Sequence, residues 1–176
     1  EMAVDRIDSV AMEVSSVGLH QKRVEAVRFD TAIFTNLTRD HLDYHGSMEA
    51  YAENKKKLFT REDLRCAIIN LDDPYALSIL NNIGKEVDVV TYSIRNPKAN
   101  VYAENLLLNR KGLEADIVTP AGIGHVCGRL IGYFNFSNLL ATVATLVNYL
   151  SFKQELDLGE LFKNISSLKP VTGRME

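Results

Sequence analysis

A chain of 176 residues, 46% of them hydrophobic and 24% charged, is ordinary for a globular domain and long enough to bury a proper core. A net charge of -3 argues against a nucleic-acid partner held by bulk electrostatics, and no apolar run approaches the length of a membrane span. The two cysteines, Cys66 and Cys127, both fall in apolar strand-like runs and are expected to be reduced core residues, without zinc spacing or a disulfide framework.

The chain starts at Glu1 with neither an initiator Met nor a signal-peptide pattern, and it stops on the polar motif PVTGRME (170–176) with no helix or tail to close it, so a piece of a longer protein is expected. Ser9 to Val14 is the first strand candidate, followed by Thr31 to Thr35. SMEAYAENKKKLF (47–59) predicts a helix, with Ser47 as N-cap and Glu49 in the favourably charged first turn. Its inward stripe is Met48, Tyr51, Ala52, Leu58 and Phe59; Lys55 falls inside that stripe, whereas Lys56 and Lys57 project elsewhere. Cys66 to Asn70 and Val87 to Ser93 are further strands. A helix between them starts at Asp73-Pro74 and has Gly84 as its stop. Strand, helix and strand at this rhythm predict βαβ units and a mostly parallel α/β sheet flanked by helices.

From Asn100 to Gly132 the pattern changes. Val101 to Leu108, Leu113 to Val118 and Gly124 to Ile131 are separated by turn-rich Asn109–Gly112 and Thr119–Gly122, which predicts a small antiparallel sheet appended over 100–132. Two helices follow. Ser137 is the expected cap of the first, with Leu139, Leu140, Val143, Leu146, Val147 and Leu150 inward. Asp157 and Glu160 have capping-box spacing in the second, with Leu158, Leu161, Phe162, Ile165 and Leu168 inward.

In parallel α/β sheets ligands gather beyond the carboxyl ends of the strands, and polar residues cluster at such positions here. Lys55, close to the His- and Asp-rich TNLTRDHLDYHG (35–46), suits a phosphate or metal site; a snorkelling lysine with its ammonium in water fits the same spacing. Glu13 could bind Mg2+ through its carboxylate or be a solvated strand end. His41 could be a ligand or a hydrogen-bonded structural residue. Asn135 and Asn138, at the start of a helix, could read a base edge or bind an anion, or simply serve as caps. There is no G-x-x-x-x-G-K-[ST] loop, so the chain by itself lacks the usual triphosphate grip.

Four segments in order, MEVSSVGLHQKRV (12–24), TNLTRDHLDYHGSMEAYAENKKKLF (35–59), YFNFSNLLAT (133–142) and PVTGRME (170–176), resemble the central, ATP-binding domain of the Mur ligases, most closely the MurE branch. The resemblance spans nearly the whole chain and implies a P-loop NTPase-like central domain, present in part over residues 1–176. It further implies that Lys55 is carbamylated by CO2 and joins Glu13 and His41 in holding Mg2+. Carbamate formation requires a neutral amine, a state that burial favours. By the same resemblance Asn135 and Asn138 lie near the adenine, Arg174 at the nucleotide phosphates, and Ser15, Gln21 and Arg23 against a UDP-muramoyl dipeptide. Arg39, Asp40 and Asp43 belong to the motif without an assigned role.

The implied reaction is ATP-dependent amide formation through an acyl phosphate, adding the third residue, meso-diaminopimelate or L-lysine, to UDP-MurNAc-L-Ala-D-Glu. The implied setting is the bacterial cytoplasm, with the enzyme a monomer that has no nucleic-acid partner and no membrane insertion. Val17 and Thr172 stand where His and Pro are common in MurE. The family P-loop is expected upstream of Glu1 and the amino-acid-selecting domain after Glu176, so the chain alone is expected to be inactive. Other ligases of the superfamily (cyanophycin synthetase, MurT-like enzymes, folylpolyglutamate synthetase) remain alternatives, as does a non-catalytic precursor-binding scaffold.

Overall fold

The computed structural model describes residues 7–39 and 42–169. Within these residues six strands form one sheet in sequence order: β1 (Thr31–Phe34), β2 (Cys66–Asn70), β3 (Asp88–Ser93), β4 (Val101–Asn109), β5 (Gly112–Thr119) and β6 (Gly122–Gly128). β1 to β4 pair in parallel, and β4, β5 and β6 pair antiparallel. The antiparallel set is joined to the parallel one through a short ladder, Tyr92↔Val101 and Ser93↔Tyr102. Among the described residues six helices accompany the sheet: α1 (Ser16–His20), α2 (Leu42–His45), α3 (Met48–Lys56), α4 (Ala76–Leu80), α5 (Tyr133–Lys153) and α6 (Leu158–Ser166).

β2 shows why the sheet is covered on both faces. Its five residues are apolar up to Asn70 and all are buried. Successive side chains of a strand point to opposite faces. Cys66 and Ile68 therefore join the core formed with Tyr92, Val101, α5 and α6, whereas Ala67 and Ile69 join the core formed with Ala32, Phe34, α3 and α4. In that second core Phe34 meets Phe59 edge to face, 6.2 Å between ring centroids. The α3 start is as expected, with Ser47 Oγ accepting from Ala50 N at 3.2 Å. The α6 start is too, with Asp157 Oδ1 accepting from Glu160 N at 3.0 Å.

Several expectations are corrected. Ser9 to Val14 has no strand ladder and is largely exposed, Val10 at 63% and Met12 at 50%; an alternating apolar pattern makes a strand only where a neighbour supplies hydrogen bonds. α4 is shorter than its pattern: the Asp73-Pro74 turn precedes it, and it ends at Leu80 with Asn81 as C-cap, so Gly84 is not its stop. α5 begins a turn before Ser137, after Gly132 at φ 88°, a conformation that glycine adopts at little cost. Ser137 is therefore a helix residue, not a cap. Cys127 is exposed because it alternates with Val126, which takes the core position on β6. Leu168 lies beyond the end of α6 and is 44% exposed.

Candidate functional site

The carboxyl ends of β1, β2 and β3 are tied together by the NLDD segment (70–73). Asn70 Nδ2 donates to the Thr35 carbonyl at 2.7 Å, which bridges the ends of β1 and β2. Asn70 Oδ1 accepts from Asp72 N at 3.0 Å. The Asp72 carboxylate accepts from Ser93 Oγ and from Ile94 N, the latter at 2.7 Å, and so reaches β3. Asp73 turns the other way, accepting from Leu37 N at 2.8 Å and from Tyr75 N at 2.8 Å. The chain leaving β1 is thus pinned at residues 35 and 37, just before Arg39.

A second assembly joins α1, α2 and α3. Ser15 caps α1, its Oγ accepting from Gly18 N at 3.0 Å. The helix ends in a reversal: Lys22 has φ 57°, Lys22 N donates to Leu19 O at 3.2 Å, and Arg23 N donates to Gly18 O at 2.9 Å. This pairing satisfies the terminal carbonyls and fixes Gln21 and Arg23 at the helix end. Ser16, only 1% exposed, bonds through its Oγ to His45 Nε2 at 2.9 Å. The His45 ring stacks on Tyr51 with centroids 5.3 Å apart and planes 14° apart. Asn54, buried on α3, lies 3.4 Å from His45 Nδ1 through its Nδ2 and accepts from Lys57 Nζ at 2.7 Å. Lys55 is half-buried on the same helix, its Nζ 5.6 Å from the Tyr51 ring centroid. Beside His45, the Tyr44 hydroxyl meets His20 Nδ1 at 2.7 Å and Gln21 Nε2 at 3.2 Å.

Ser15, Gln21 and Arg23 therefore share α1 and its C-terminal turn, packed against the helix that carries Lys55. Glu13 is exposed in the segment without regular structure, two residues before Ser15. Among the described residues no group of three His, Cys, Asp or Glu side chains is arranged to hold a metal. His41 and Asp40, like Arg174, lie outside the described residues.

Asn135 and Asn138 sit on the first turns of α5, on the opposite face of the sheet from α3. Asn135 Nδ2 donates to the Ile131 carbonyl at 2.8 Å, a backbone-tying bond, and the Asn138 side chain is exposed. The same turns approach the carboxyl end of β3. There the Tyr92 hydroxyl is buried beside Ser137 without a well-formed hydrogen bond, and burial pushes its phenol up despite the opposing influence of Ser137. A surface groove between α5 and α6 and another at Arg28 to Asp30 contain no predicted site residue in their linings.

Sequence reading passed over Ser16, Tyr44, His45, Asn54 and Asp73. Tyr44 and His45 lay inside a quoted motif, immediately before Gly46 at φ 77°, but their partners are distant: Ser16 is 29 positions from His45 and Gln21 is 23 from Tyr44. A polar-aromatic pair beside an obligatory turn glycine was the available signal.

A sheet with pinned carboxyl ends and helix termini approaching them from both faces defines an α/β protein of the ligand-binding-edge class. A family model described as the Mur ligase middle domain matches residues 1–146, and the chain belongs to the Mur ligase family. It is 47% identical over 170 residues to the UDP-N-acetylmuramoyl-L-alanyl-D-glutamate--2,6-diaminopimelate ligase of Pseudomonas aeruginosa, covering 96% of this chain and 33% of that protein. The Coxiella burnetii protein of the same name is 38% identical over 180 residues, covering 100% of this chain and 36% of its own length. A solved structure of a ligase of that name superposes with TM-score 0.78 at 34% identity, over 92% of this chain and 33% of that one. MurF from Acinetobacter baumannii, at 19% identity and TM-score 0.71 over 84% of this chain and 31% of that one, shares the fold. The chain spans about a third of the length of the curated relatives it matches.

Proposed function

We propose that residues 1–176 form part of the central domain of an ATP-dependent amide ligase, with 100–132 an antiparallel sub-sheet within it. The reaction proposed is addition of a diamino acid to the D-glutamyl carboxylate of UDP-MurNAc-L-Ala-D-Glu in peptidoglycan synthesis. The observation that carries this reading is the junction of α1 and α3 through His45, which brings the segment resembling a muramoyl-dipeptide reader against the helix of Lys55. The names of the 47% and 38% identical relatives favour 2,6-diaminopimelate over L-lysine as the incoming amino acid.

In the proposed reaction the D-glutamyl carboxylate takes the γ-phosphoryl group of ATP, giving an acyl phosphate and ADP. The amino group of the diamino acid attacks that carbonyl, and phosphate leaves from the tetrahedral intermediate. Lys55 takes part as a carbamate, formed when its neutral amine attacks CO2 and loses a proton. Two oxygen donors, the Glu13 carboxylate and the Lys55 carbamate, with the His41 imidazole, suit Mg2+, which prefers oxygen ligands. Half-burial of Lys55 and exposure of Glu13 are compatible with that donor set. When bound, Mg2+ would neutralise charge on the phosphates. Asn135 and Asn138 hold the base, Arg174 the phosphates, and Ser15, Gln21 and Arg23 orient the dipeptide so that its carboxylate meets ATP in line.

No helix among the described residues is long and apolar enough to cross a membrane. We place the reaction in the bacterial cytoplasm, carried out by a monomer. The test is ADP release by the full-length protein supplied with ATP, UDP-MurNAc-L-Ala-D-Glu and single amino acids. Turnover that requires both the muramoyl dipeptide and diaminopimelate is expected; none with any muramoyl acceptor would overturn the reading.

A further inference from the structure

Tyr44 stands out among residues to which the proposed chemistry gives no part. Its hydroxyl is the meeting point of two side chains from the end of α1, with His20 Nδ1 at 2.7 Å and Gln21 Nε2 at 3.2 Å. The His20 and Tyr44 rings also pack edge to face, centroids 5.5 Å apart. The Gln21 amide can only donate through Nε2, so the Tyr44 oxygen is the acceptor of that bond. The phenol proton stays available to His20 Nδ1, which accepts it when the ring is in the tautomer protonated at Nε2. Gln21 is exposed, and its Oε1 has no hydrogen bond among the described residues.

Tyr44 is itself held in place. It lies on α2, between Asp43 and His45. His45 is locked by Ser16 Oγ at 2.9 Å and by stacking on Tyr51 of α3, and the Tyr44 ring meets the His45 ring at 4.9 Å. An exposed glutamine otherwise samples several rotamers, and ordering it on binding costs free energy. Anchoring it to a fixed phenol removes that cost in advance and selects one amide orientation.

We propose that Tyr44 is a positioning residue for substrate: it fixes the Gln21 amide so that Oε1 faces outward to accept from an amide or hydroxyl donor of the dipeptide-bearing substrate. The inference rests on the proposed role of Gln21 and adds the group that orients it. Because the anchor reaches α3 through His45 and Tyr51, the same contact holds the substrate-reading turn in register with the Lys55 helix.

The test uses the full-length protein and Tyr44→Phe, which keeps the ring and its packing but removes the hydroxyl. The KM for UDP-MurNAc-L-Ala-D-Glu should rise about tenfold, as expected for loss of one orienting hydrogen bond network, with the KM for ATP and the Tm unchanged. In a Gln21→Ala background Tyr44→Phe should add less than about twofold, because the side chain it orients is gone. An unchanged KM for the muramoyl dipeptide would overturn the inference, as would equal rises in both KM values or full additivity with Gln21→Ala. Wild-type turnover separates the two levels: turnover with the muramoyl dipeptide but no effect of Tyr44→Phe removes only this inference, whereas no wild-type turnover removes the proposed function beneath it as well.

Discussion

The Asp73 carboxylate accepts the Leu37 amide at 2.8 Å and the Tyr75 amide at 2.8 Å, so one side chain at the end of β2 fixes both the exit from β1 and the entry to α4. Leu37 is buried, so removing that carboxylate leaves a largely buried amide without its acceptor. Asp73→Ala should therefore destabilise the protein by about 1–3 kcal/mol, the cost of stranding partly buried donors. Asp73→Asn, which keeps one carbonyl acceptor, should lose less. Urea denaturation of the two variants checks the order, and equal stability of Asp73→Ala and wild type would contradict it.

Gly124 on β6 faces α6, and a Cβ there would lie about 2 Å from the Phe162 ring. Phe162 is 5% exposed and part of the core shared with Val126 and Ile165, so it has little room to move. Gly124→Ala should lower stability by about 1–3 kcal/mol through overpacking. Combining it with Phe162→Leu should recover part of the loss. Thermal unfolding of the single and double variants measures both.

At the opposite end of the parallel strands, hydrogen bonds from Arg65 hold the Asp30 carboxyl below the usual carboxylate range, at 2.9 Å and 3.0 Å. Arg65 also reaches Asn148 at 3.0 Å and lies over the Phe152 ring, linking β1 and β2 to α5. A carboxyl whose folded pKa is depressed contributes stability above its unfolded value, about 3.9, and loses that contribution as pH falls through the lower folded value. Asp30 is half-exposed, so solvent keeps the effect below about 1 kcal/mol. Asp30→Asn should flatten the acid limb of stability below about pH 4 and lower the plateau at neutral pH slightly. An unaltered acid limb would contradict the assignment.

Burial pushes the Cys66 thiol up to about 11, whereas Cys127 is exposed on β6. The thiolate is the reactive form, so iodoacetamide at pH 8 should modify Cys127 in the folded protein and Cys66 only after unfolding. Peptide mass mapping of native and denatured samples distinguishes the two sites. Rapid native alkylation of Cys66 would mean that the β2 core opens readily.

The parallel core was legible because β2 is apolar on both faces and the α3 and α6 caps are local signals, Ser47 to Ala50 and Asp157 to Glu160. The antiparallel strands were legible from their turns, Asn109–Gly112 and Thr119–Gly122. Ser9 to Val14 misled because alternation describes side chains and says nothing about whether a ladder partner exists. α5 begins before its polar cap signal because Gly132 sets the entry. Within the site, Lys55 could be singled out from helical spacing alone. The Ser16–His45 and Gln21–Tyr44 bonds could not, since each closes a loop of more than twenty residues.

Lys55 is where the account is most exposed to test. Full-length protein carrying Lys55→Ala, assayed for amide formation with ATP, UDP-MurNAc-L-Ala-D-Glu and diaminopimelate, should fall at least about a thousandfold, because a charge acting at the phosphates is lost. A small carboxylate such as acetate, able to enter the space left by the side chain, should restore part of the rate, and the Tm should stay within a few degrees of wild type. Activity close to wild type, or a loss that tracks unfolding and ignores added carboxylate, would contradict the assignment of Lys55 to the chemistry.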